Sequence, residues 1–272
     1  MKLLDNENII VDTEICKITN LRVITGKTTK NNTFKQKKTA YFDDINSYET
    51  IMNDKLHITI DGPAASGKSA TAKKLSQDIS IPYIDTGIMY RGLTYFMVKY
   101  VKNFDNRNVI ENFDFAANIR MDLDDSNILY INDENITRNL YSKEVTDIVS
   151  FFSSINSVRK YLVSAQKNIA FDKDLIMIGR DIGTVVLPKA KYKFFLDSNI
   201  ETRTKRRMDQ KKININDQAE IDKNFDSIKN RDLIDKSRDL SPLKPAQDAI
   251  IIYNDHIDLN ATVDLMKNII LD

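Results

Sequence analysis

The residues with the clearest chemical meaning lie at positions 62–69, where the chain reads GPAASGKS. This is a complete GxxxxGKS/T pattern, in which glycines let the backbone fold so tightly that several N–H groups point at one polyphosphate. In such loops a lysine, here Lys68, reaches the β- and γ-phosphates, and a hydroxyl, here that of Ser69, ligates Mg²⁺. The pattern predicts a site for a nucleoside triphosphate.

Two further motifs indicate a second anion site. Arg91 closes the motif DTGIMYR, and Arg180 stands beside Asp181 in the motif GRDIGTVV. A planar guanidinium binds phosphate through paired hydrogen bonds, and a carboxylate such as Asp181 accepts from an exocyclic amine. Two alternatives stay open on the sequence alone. In the first, Arg91 is a surface residue near a helix-capping Asp85 or Thr86 and binds no phosphate. In the second, Arg180 and Asp181 form a buried ion pair that only fixes the conformation of their own loop.

Arginines also gather on two predicted helices. The sets are Arg203, Arg206 and Arg207 in ETRTKRRM, and Arg231, Asp235 and Arg238 in NRDLIDKSRD. Spacings of three and four residues place each set on one helix face. Each face is either solvated or, if a polyanion offsets the repulsion, part of a binding site. If the two faces bind a polyanion, they and the triphosphate site together predict phosphoryl transfer. This reaction needs in-line positioning of the reactants, cations on the phosphoryl oxygens and exclusion of water.

These side chains need a scaffold of alternating strands and helices. From Leu56 onward the apolar pattern predicts five buried strands, LHITI, IPYID, LIMIG, KYKFFLD and DAIIIYN. Helical patterns lie between and after them, over residues 69–79, 89–101, 155–171, 199–212, 217–237 and 258–271. The alternation predicts an α/β fold with a mainly parallel five-stranded sheet, flanked by helices, whose strand ends bring the motifs to one edge.

Two segments interrupt this pattern. The sequence IRMDLDDSNILYINDENI predicts an antiparallel hairpin with its turn at 125–127, and residues 105–150 are assigned to an inserted subdomain of the domain 56–272. Residues 1–55 are predicted to be a basic, partly disordered N-terminal extension with one short strand, LRVIT. From Ile15 to Phe42 this extension has seven basic residues and no acid.

Composition excludes several classes of protein. The 272 residues include 40 Lys plus Arg and 39 Asp plus Glu, and a formal charge of +1 gives no support to a nucleic-acid binder. One cysteine, Cys16, and two distant histidines, His57 and His256, exclude a disulfide framework and a Cys-rich zinc site. The longest apolar runs are far shorter than the ~20 residues of a membrane helix, and the first residues do not resemble a signal peptide. We therefore expect a cytoplasmic protein, a monomer, with small-molecule substrates and neither nucleic acid nor membrane as partner.

Read together, the motifs resemble those of one family. DGPAASGKS, DTGIMYR, GRDIGTVVLP, FLDSNIETRTKRRM and RDLIDKSRDLSPLKPAQDA are similar, in order and spacing, to the motifs of bacterial cytidylate kinases, which are nucleoside monophosphate kinases. The resemblance implies a P-loop NTPase fold with an α+β NMP-binding subdomain at about 105–150 and a lid at about 199–217. It also implies transfer of the γ-phosphoryl group of ATP to CMP or dCMP, with Mg²⁺.

The resemblance assigns roles residue by residue. It implies ATP binding by Gly62, Pro63, Ala64, Ala65, Ser66, Gly67, Lys68, Ser69 and Ala70, with Ser69 as the metal ligand. It implies CMP binding by Thr86, Arg91, Ser150, Arg159, Arg180, Asp181, Arg231, Asp235 and Arg238, of which Ser150, Arg159 and Asp181 read the cytosine. It implies that the residues stabilising the transferring phosphoryl group are Lys68, Arg180, Arg203, Arg206 and Arg207.

The chain departs from the family pattern at Ala65, where a glycine is frequent, and at Tyr253, where the last strand usually ends in Asp. Two other functions stay open on the sequence: a kinase for a different small acceptor, such as another monophosphate, and a protein that changes partners on binding ATP. A second anion site formed by Arg91, Arg180 and Arg231 disfavours the latter, because a switch needs only one nucleotide.

Overall fold

The computed structural model describes residues 2–4, 10–12 and 55–272. Lys2–Leu4 (β1) and Ile10–Asp12 (β2) pair antiparallel. The predictions made for the basic stretch from Ile15 to Phe42 and for the strand LRVIT lie outside the described residues.

A five-stranded sheet forms the centre of residues 55–272, as predicted, but its last strand, Ile250–Tyr253, lies at the edge and is mostly exposed rather than buried. Its strands are β3 (His57–Asp61), β4 (Tyr83–Asp85), β8 (Leu175–Ile178), β9 (Tyr192–Asp197) and β10 (Ile250–Tyr253). Their order is β10-β9-β3-β8-β4, and every neighbouring pair is parallel. All five residues of β3 are buried, which a central strand covered by helices on both faces requires.

Residues 55–272 also form nine α-helices. They are α1 (Lys68–Ile79), α2 (Thr86–Tyr100), α3 (Arg107–Glu111), α4 (Phe115–Asn118), α5 (Lys143–Phe152), α6 (Asn156–Ala170), α7 (Ile200–Lys211), α8 (Gln218–Lys236) and α9 (Leu259–Leu271). Strand β8 shows the two-residue period of a sheet: Leu175 and Met177 join the core beneath α2 and α6, while Ile176 and Ile178 join the core beneath α1 and α9. In the described part of the chain, no helix is long and apolar enough to cross a membrane.

Helix α2 begins three residues earlier than the apolar pattern predicts. The reason is a cap: Oδ1 of Asp85 accepts a hydrogen bond from the Gly87 N–H at 3.0 Å. Such a side chain satisfies one of the free N–H groups of the first turn, and the helix therefore starts directly where β4 ends. The motif DTGIMYR thus lies at the sheet edge and in the first turns of α2.

The predicted hairpin is present and gains a third strand. Met121–Leu123 (β5), Leu129–Ile131 (β6) and Glu134–Asn135 (β7) form an antiparallel sheet. Its contact with α2 is close, since a Cβ built at Gly92 would lie 2.1 Å from Cδ2 of Leu129. At the hairpin turn, Asn127 accepts a hydrogen bond from the Asp85 N–H at 2.8 Å and donates to the Tyr83 carbonyl at 2.9 Å. The hairpin is thereby attached to the end of β4.

Candidate active site

The segment Gly62–Ser69, called the phosphate loop below, joins β3 to α1. Gly62 has φ 148° and Gly67 has φ 97°, conformations that favour glycine, and a Cβ at Gly62 would lie 2.1 Å from the Leu196 carbonyl oxygen. Ala65 is also left-handed, with φ 61°, at the position where the family often has glycine. The loop therefore has its folded shape even though Ala65, unlike a glycine, has a steric cost in this conformation.

Lys68 is buried within this loop. Its Nζ donates to the carbonyls of Gly62 at 2.8 Å and Pro63 at 2.6 Å, and to Oγ of Ser66 at 3.2 Å. Burial, and then repulsion from Arg180, lowers the pKa of Lys68 well below its ordinary value. A phosphate beside the ammonium would stabilise the charged form.

Ser69 and Asp85 bring two oxygen groups to the mouth of the loop. Oγ of Ser69 donates to Oδ2 of Asp85 at 2.7 Å. Hydroxyl and carboxylate oxygens are ligands that Mg²⁺ accepts, and this ion is usually held by one or two protein oxygens together with substrate phosphates and water. The donor set at Ser69 fits that pattern.

Four of the arginines that line the cavity repel one another; we call Arg91, Arg180, Arg207 and Arg231 the arginine cluster. Burial and then repulsion from Arg180 lower the pKa of Arg231 to about 9, and burial followed by Arg91 and Arg180 lowers the pKa of Arg207. Nε of Arg231 has no hydrogen-bond partner within the described residues. The cluster thus contains more positive charge than its surroundings balance, which predicts that an anion binds there.

Asp235 of α8 partly balances this charge. Its Oδ2 accepts from Nε of Arg180 at 2.8 Å, and its Oδ1 pairs with Arg238. Burial raises the pKa of Asp235, but the charges of Arg180, Arg238 and Arg231 outweigh it and hold the pKa below its ordinary value. Helix α8 is thereby linked to the turn that follows β8.

A second polar group lies deeper in the cavity. Oδ2 of Asp181 accepts from Nη2 of Arg159 at 2.6 Å, and both side chains are almost completely buried. Nη1 of Arg159 donates to the Ser153 carbonyl at 3.1 Å, while Oγ of Ser153 accepts from Nη2 of Arg238 at 2.7 Å. The guanidinium of Arg159 also lies 5.5 Å from the centre of the Tyr90 ring. These groups form a polar end wall suited to the edge of a base.

Helix α7 sends its arginines in different directions. Arg203 is buried, and it donates to the carbonyls of Ser198 at 2.9 Å and Ala64 at 3.3 Å and pairs with Asp232. Arg206 donates to the carbonyl of Asn254 at 2.6 Å. Arg207 faces the cavity. One helix therefore both holds the phosphate loop and adds a cation to the site.

The cavity itself has a volume of about 610 Å³. The predicted residues that line it are Ala65, Ser66, Gly67, Lys68, Ser69, Ala70, Thr86, Arg91, Arg159, Arg180, Asp181, Arg206, Arg207, Arg231, Asp235 and Arg238. The predicted residues outside its wall are Gly62, Pro63, Ala64, Ser150 and Arg203. Ser150 lies on α5, where its carbonyl accepts from Oγ of Ser153, and Ser153 lines the cavity although Ser150 does not.

Sequence reasoning missed four polar residues that support this site. Asp61 binds the turn after β8, Asn127 holds Asp85, Asp232 accepts from the Ala64 N–H at 3.2 Å, and Nδ2 of Asn254 donates to the Ser66 carbonyl at 3.0 Å. A signal existed for two of them, since Asp61 ends a predicted strand and Asn254 directly follows the last strand of the sheet. The side chain of Tyr253, where the chain departs from the family pattern, is largely exposed.

Comparisons with known proteins agree with this geometry. The family described as cytidylate kinase matches residues 58–271. A cytidylate kinase of Acholeplasma laidlawii (strain PG-8A) is 40% identical over 206 residues, covering 76% of this chain and 90% of that protein. One from Alkaliphilus oremlandii (strain OhILAs) is 40% identical over 216 residues, covering 79% and 97%. A bifunctional pantoate ligase/cytidylate kinase of Prochlorococcus marinus (strain MIT 9312) is 37% identical, covering 76% of this chain and 41% of that protein.

Proposed function

The chain belongs to the cytidylate kinase family, and from this premise we propose that it transfers the γ-phosphoryl group of ATP to CMP or dCMP, giving ADP and CDP or dCDP. The observation that supports the proposal best is the arginine cluster beside the phosphate loop. A protein that only binds ATP needs one phosphate site, whereas Arg91 and Arg231 add a second one in the same cavity.

The residues of the cavity have different roles in an in-line transfer. The backbone of the phosphate loop and Lys68 hold the triphosphate, while Arg91 and Arg231 hold the phosphate of CMP. An oxygen of that phosphate attacks the γ-phosphorus, and the bond from the γ-phosphorus to the bridging oxygen of ADP breaks. The attacking oxygen is already ionised, so no general base is required. To Arg180 and Arg207, which line the same cavity, we assign stabilisation of the charge on the transferring group.

Mg²⁺ is part of the proposal. When bound, the ion neutralises charge on the β- and γ-phosphate oxygens. We assign Ser69 as its protein ligand, and Asp85, 2.7 Å from the Ser69 hydroxyl, as the group that orients that hydroxyl. Both residues are held by the first turns of α1 and α2.

Selection of cytosine is assigned to Asp181 with Arg159. The carboxylate accepts a hydrogen bond from the exocyclic amine of cytosine, and it would face the carbonyl oxygen O4 of uracil, which repels it. The ion pair with Arg159 orients the Asp181 carboxylate in a buried site. CMP is therefore preferred to UMP.

The test is direct. The full chain is incubated with ATP and Mg²⁺ and, separately, with CMP, dCMP, UMP, AMP and GMP, and the diphosphates formed are measured. We expect CDP and dCDP to form fastest. Another preferred monophosphate would refute the assigned substrate, and hydrolysis or binding of ATP without any diphosphate would refute the kinase. Light scattering with and without nucleotide tests whether the enzyme acts as a monomer, as we propose.

A further inference from the structure

Asp61 makes a contact between the two nucleotide sites that the mechanism above does not use. It is the last residue of β3, directly before the phosphate loop, and its side chain is buried. Oδ1 accepts from the N–H of Ile182 at 2.9 Å, and Oδ2 accepts from the N–H of Gly183 at 2.8 Å. Both amides directly follow Asp181, so one carboxylate joins the start of the phosphate loop to the turn that carries Asp181.

The turn after Asp181 explains why this contact matters. Residues 182–186 form a single π-helical turn, closed by a hydrogen bond from the Leu187 N–H to the Ile182 carbonyl at 2.7 Å. The first N–H groups of a helical turn have no acceptor within it, and an Asp at the preceding position commonly caps them with its own side chain. Asp181 occupies that position, yet its side chain makes no capping hydrogen bond. Its carboxylate turns instead to Arg159.

We propose that Asp61 is a positioning residue for recognition of the base. By accepting from the amides of Ile182 and Gly183, it replaces Asp181 as the cap of this turn and leaves the Asp181 carboxylate directed at Arg159 and the cavity. The contact follows from geometry alone, whereas its consequence for CMP rests on the proposed function.

The charges around Asp61 set the pH at which this contact is strongest. The pKa of Asp61 is raised to about 6: burial is the main cause and repulsion from Asp181 adds to it, while the two amides and Lys68 oppose the rise. On the neighbouring strand β9, Nζ of Lys193 is bound to Asp248 and to the Pro188 carbonyl, at 2.6 and 2.5 Å. A protonated carboxyl group keeps only one strong acceptor oxygen. The double cap is therefore complete above about pH 6 and weakens below it.

The test compares Asp61→Asn with Thr59→Val in the full chain. Asparagine keeps the shape but can accept from only one of the two amides. Thr59 lies on the same strand and close to Gly183, and its hydroxyl has no hydrogen-bond partner in the described structure, so Thr59→Val is a matched control. We expect D61N to raise KM for CMP about tenfold and to reduce the preference for CMP over UMP, with KM for ATP changed less than about twofold. T59V should leave all three within about twofold.

The pH profile separates positioning from general loosening. The ratio of kcat/KM for CMP between the wild type and D61N should fall towards one between pH 8 and pH 5, because protonated Asp61 resembles asparagine. The ratio also cancels the titration of the CMP phosphate, which has a pKa of about 6. A ratio that does not change with pH, equal rises in KM for CMP and ATP, or the same losses in T59V would overturn the proposal.

Hydrogen exchange without nucleotide tests the contact independently of activity. In D61N the amides of residues 182 and 183 should exchange faster than in the wild type, while T59V should not change them. Unchanged exchange in D61N would refute the cap. If exchange behaves as expected but the wild type forms no CDP, the contact stands and the proposed function fails.

Discussion

Lys68 and the arginine cluster are positive charges held in a buried cavity, and each is costly in the absence of an anion. The lowered pKa values of Lys68, Arg207 and Arg231 have burial as their largest cause and a neighbouring arginine as the next. Charged groups that are poorly balanced in the free protein are suited to stabilise charge that arrives with the substrate. At the scale of the residue, function therefore depends on which charges are incompletely balanced in the free protein.

Lys68→Ala should nearly abolish transfer while the fold persists. In the proposed function the change removes the positive charge that holds the β- and γ-phosphates, and kcat is expected to fall by about 10²–10³-fold or more. The measurement is CDP formation at saturating ATP and CMP, with circular dichroism to verify folding. The control is Lys73→Ala on the same helix, where the side chain is exposed. Near-normal turnover of K68A would rule out the assigned site.

Asp181→Asn should act selectively on CMP. The amide cannot replace the charged acceptor for the exocyclic amine, and kcat/KM for CMP is expected to fall about 10–100-fold while that for UMP changes much less. The change also breaks a buried ion pair with Arg159, so the ratio of the two substrates is the quantity to measure rather than either rate alone. Equal losses for CMP and UMP would remove Asp181 from base recognition.

Helix α7 shows how one element serves two purposes. The sequence places Arg203 and Arg207 four residues apart, on neighbouring positions of one face, and predicts one role for both. In the structure Arg203 points towards Asp232 and the Ala64 carbonyl, beneath the phosphate loop, whereas Arg207 lines the cavity. The separation arises because α8 packs against one side of α7 and supplies Asp232 there.

Alanine variants of these two arginines should therefore separate stability from rate. Arg203→Ala leaves the largely buried Asp232 without its partner and is expected to lower the free energy of unfolding by about 3–5 kcal/mol. Arg207→Ala removes a repelled cation, so stability should hold while kcat falls by about 10²-fold or more. Urea unfolding and steady-state kinetics on both variants decide the matter. Loss of stability in R207A, or a folded R203A with full stability, would contradict the assignment of a structural role to Arg203 and a catalytic role to Arg207.

At the scale of the whole molecule, strand β3 connects the site at one end of the sheet to buried contacts at the other end. Strand β3 carries His57 at one end and Asp61 at the other, and both side chains are buried. His57 Nε2 is 2.9 Å from the carbonyl of Ala170, at the end of α6. Burial is the main cause that lowers the pKa of His57 below its ordinary value of 6.5, although nearby carbonyls and Asp174 oppose it.

This gives a pH dependence of stability with a definite sign. A histidine whose pKa is lower in the folded state binds protons more readily when unfolded, so its contribution is present above about pH 6.5 and is lost as the pH falls through the folded pKa. The difference in free energy of unfolding between the wild type and His57→Gln should therefore shrink between pH 7.5 and 5.5. Asp61, whose raised pKa acts in the opposite sense, is present in both proteins and cancels. The exposed His256→Gln is the control, and a pH-independent difference for H57Q would contradict the argument.

The order of elements and the phosphate loop follow from the sequence alone. The apolar runs, the alternation of strands with helices, and GPAASGKS are local patterns. They predicted the five strands, the hairpin and most bounds of six helices within a residue or two, but not the helices α3, α4 and α5. The start of α2 was missed because the cap at Asp85 lies before the apolar pattern begins. The order and spacing of motifs far apart in the chain can also be read from the sequence, and they indicated the family.

What the tertiary structure decided is the pairing of residues far apart in the chain. The contacts of Asp61 with Ile182, of Asn254 with Ser66 and of Asn127 with Asp85 each join elements that become neighbours only when the sheet and the hairpin assemble. Whether an arginine faces the cavity or the underside of the phosphate loop likewise depends on the helix packed beside it. Local patterns depend on backbone periodicity and so can be predicted from the chain, whereas these contacts depend on strand order and side-chain direction, which packing alone determines.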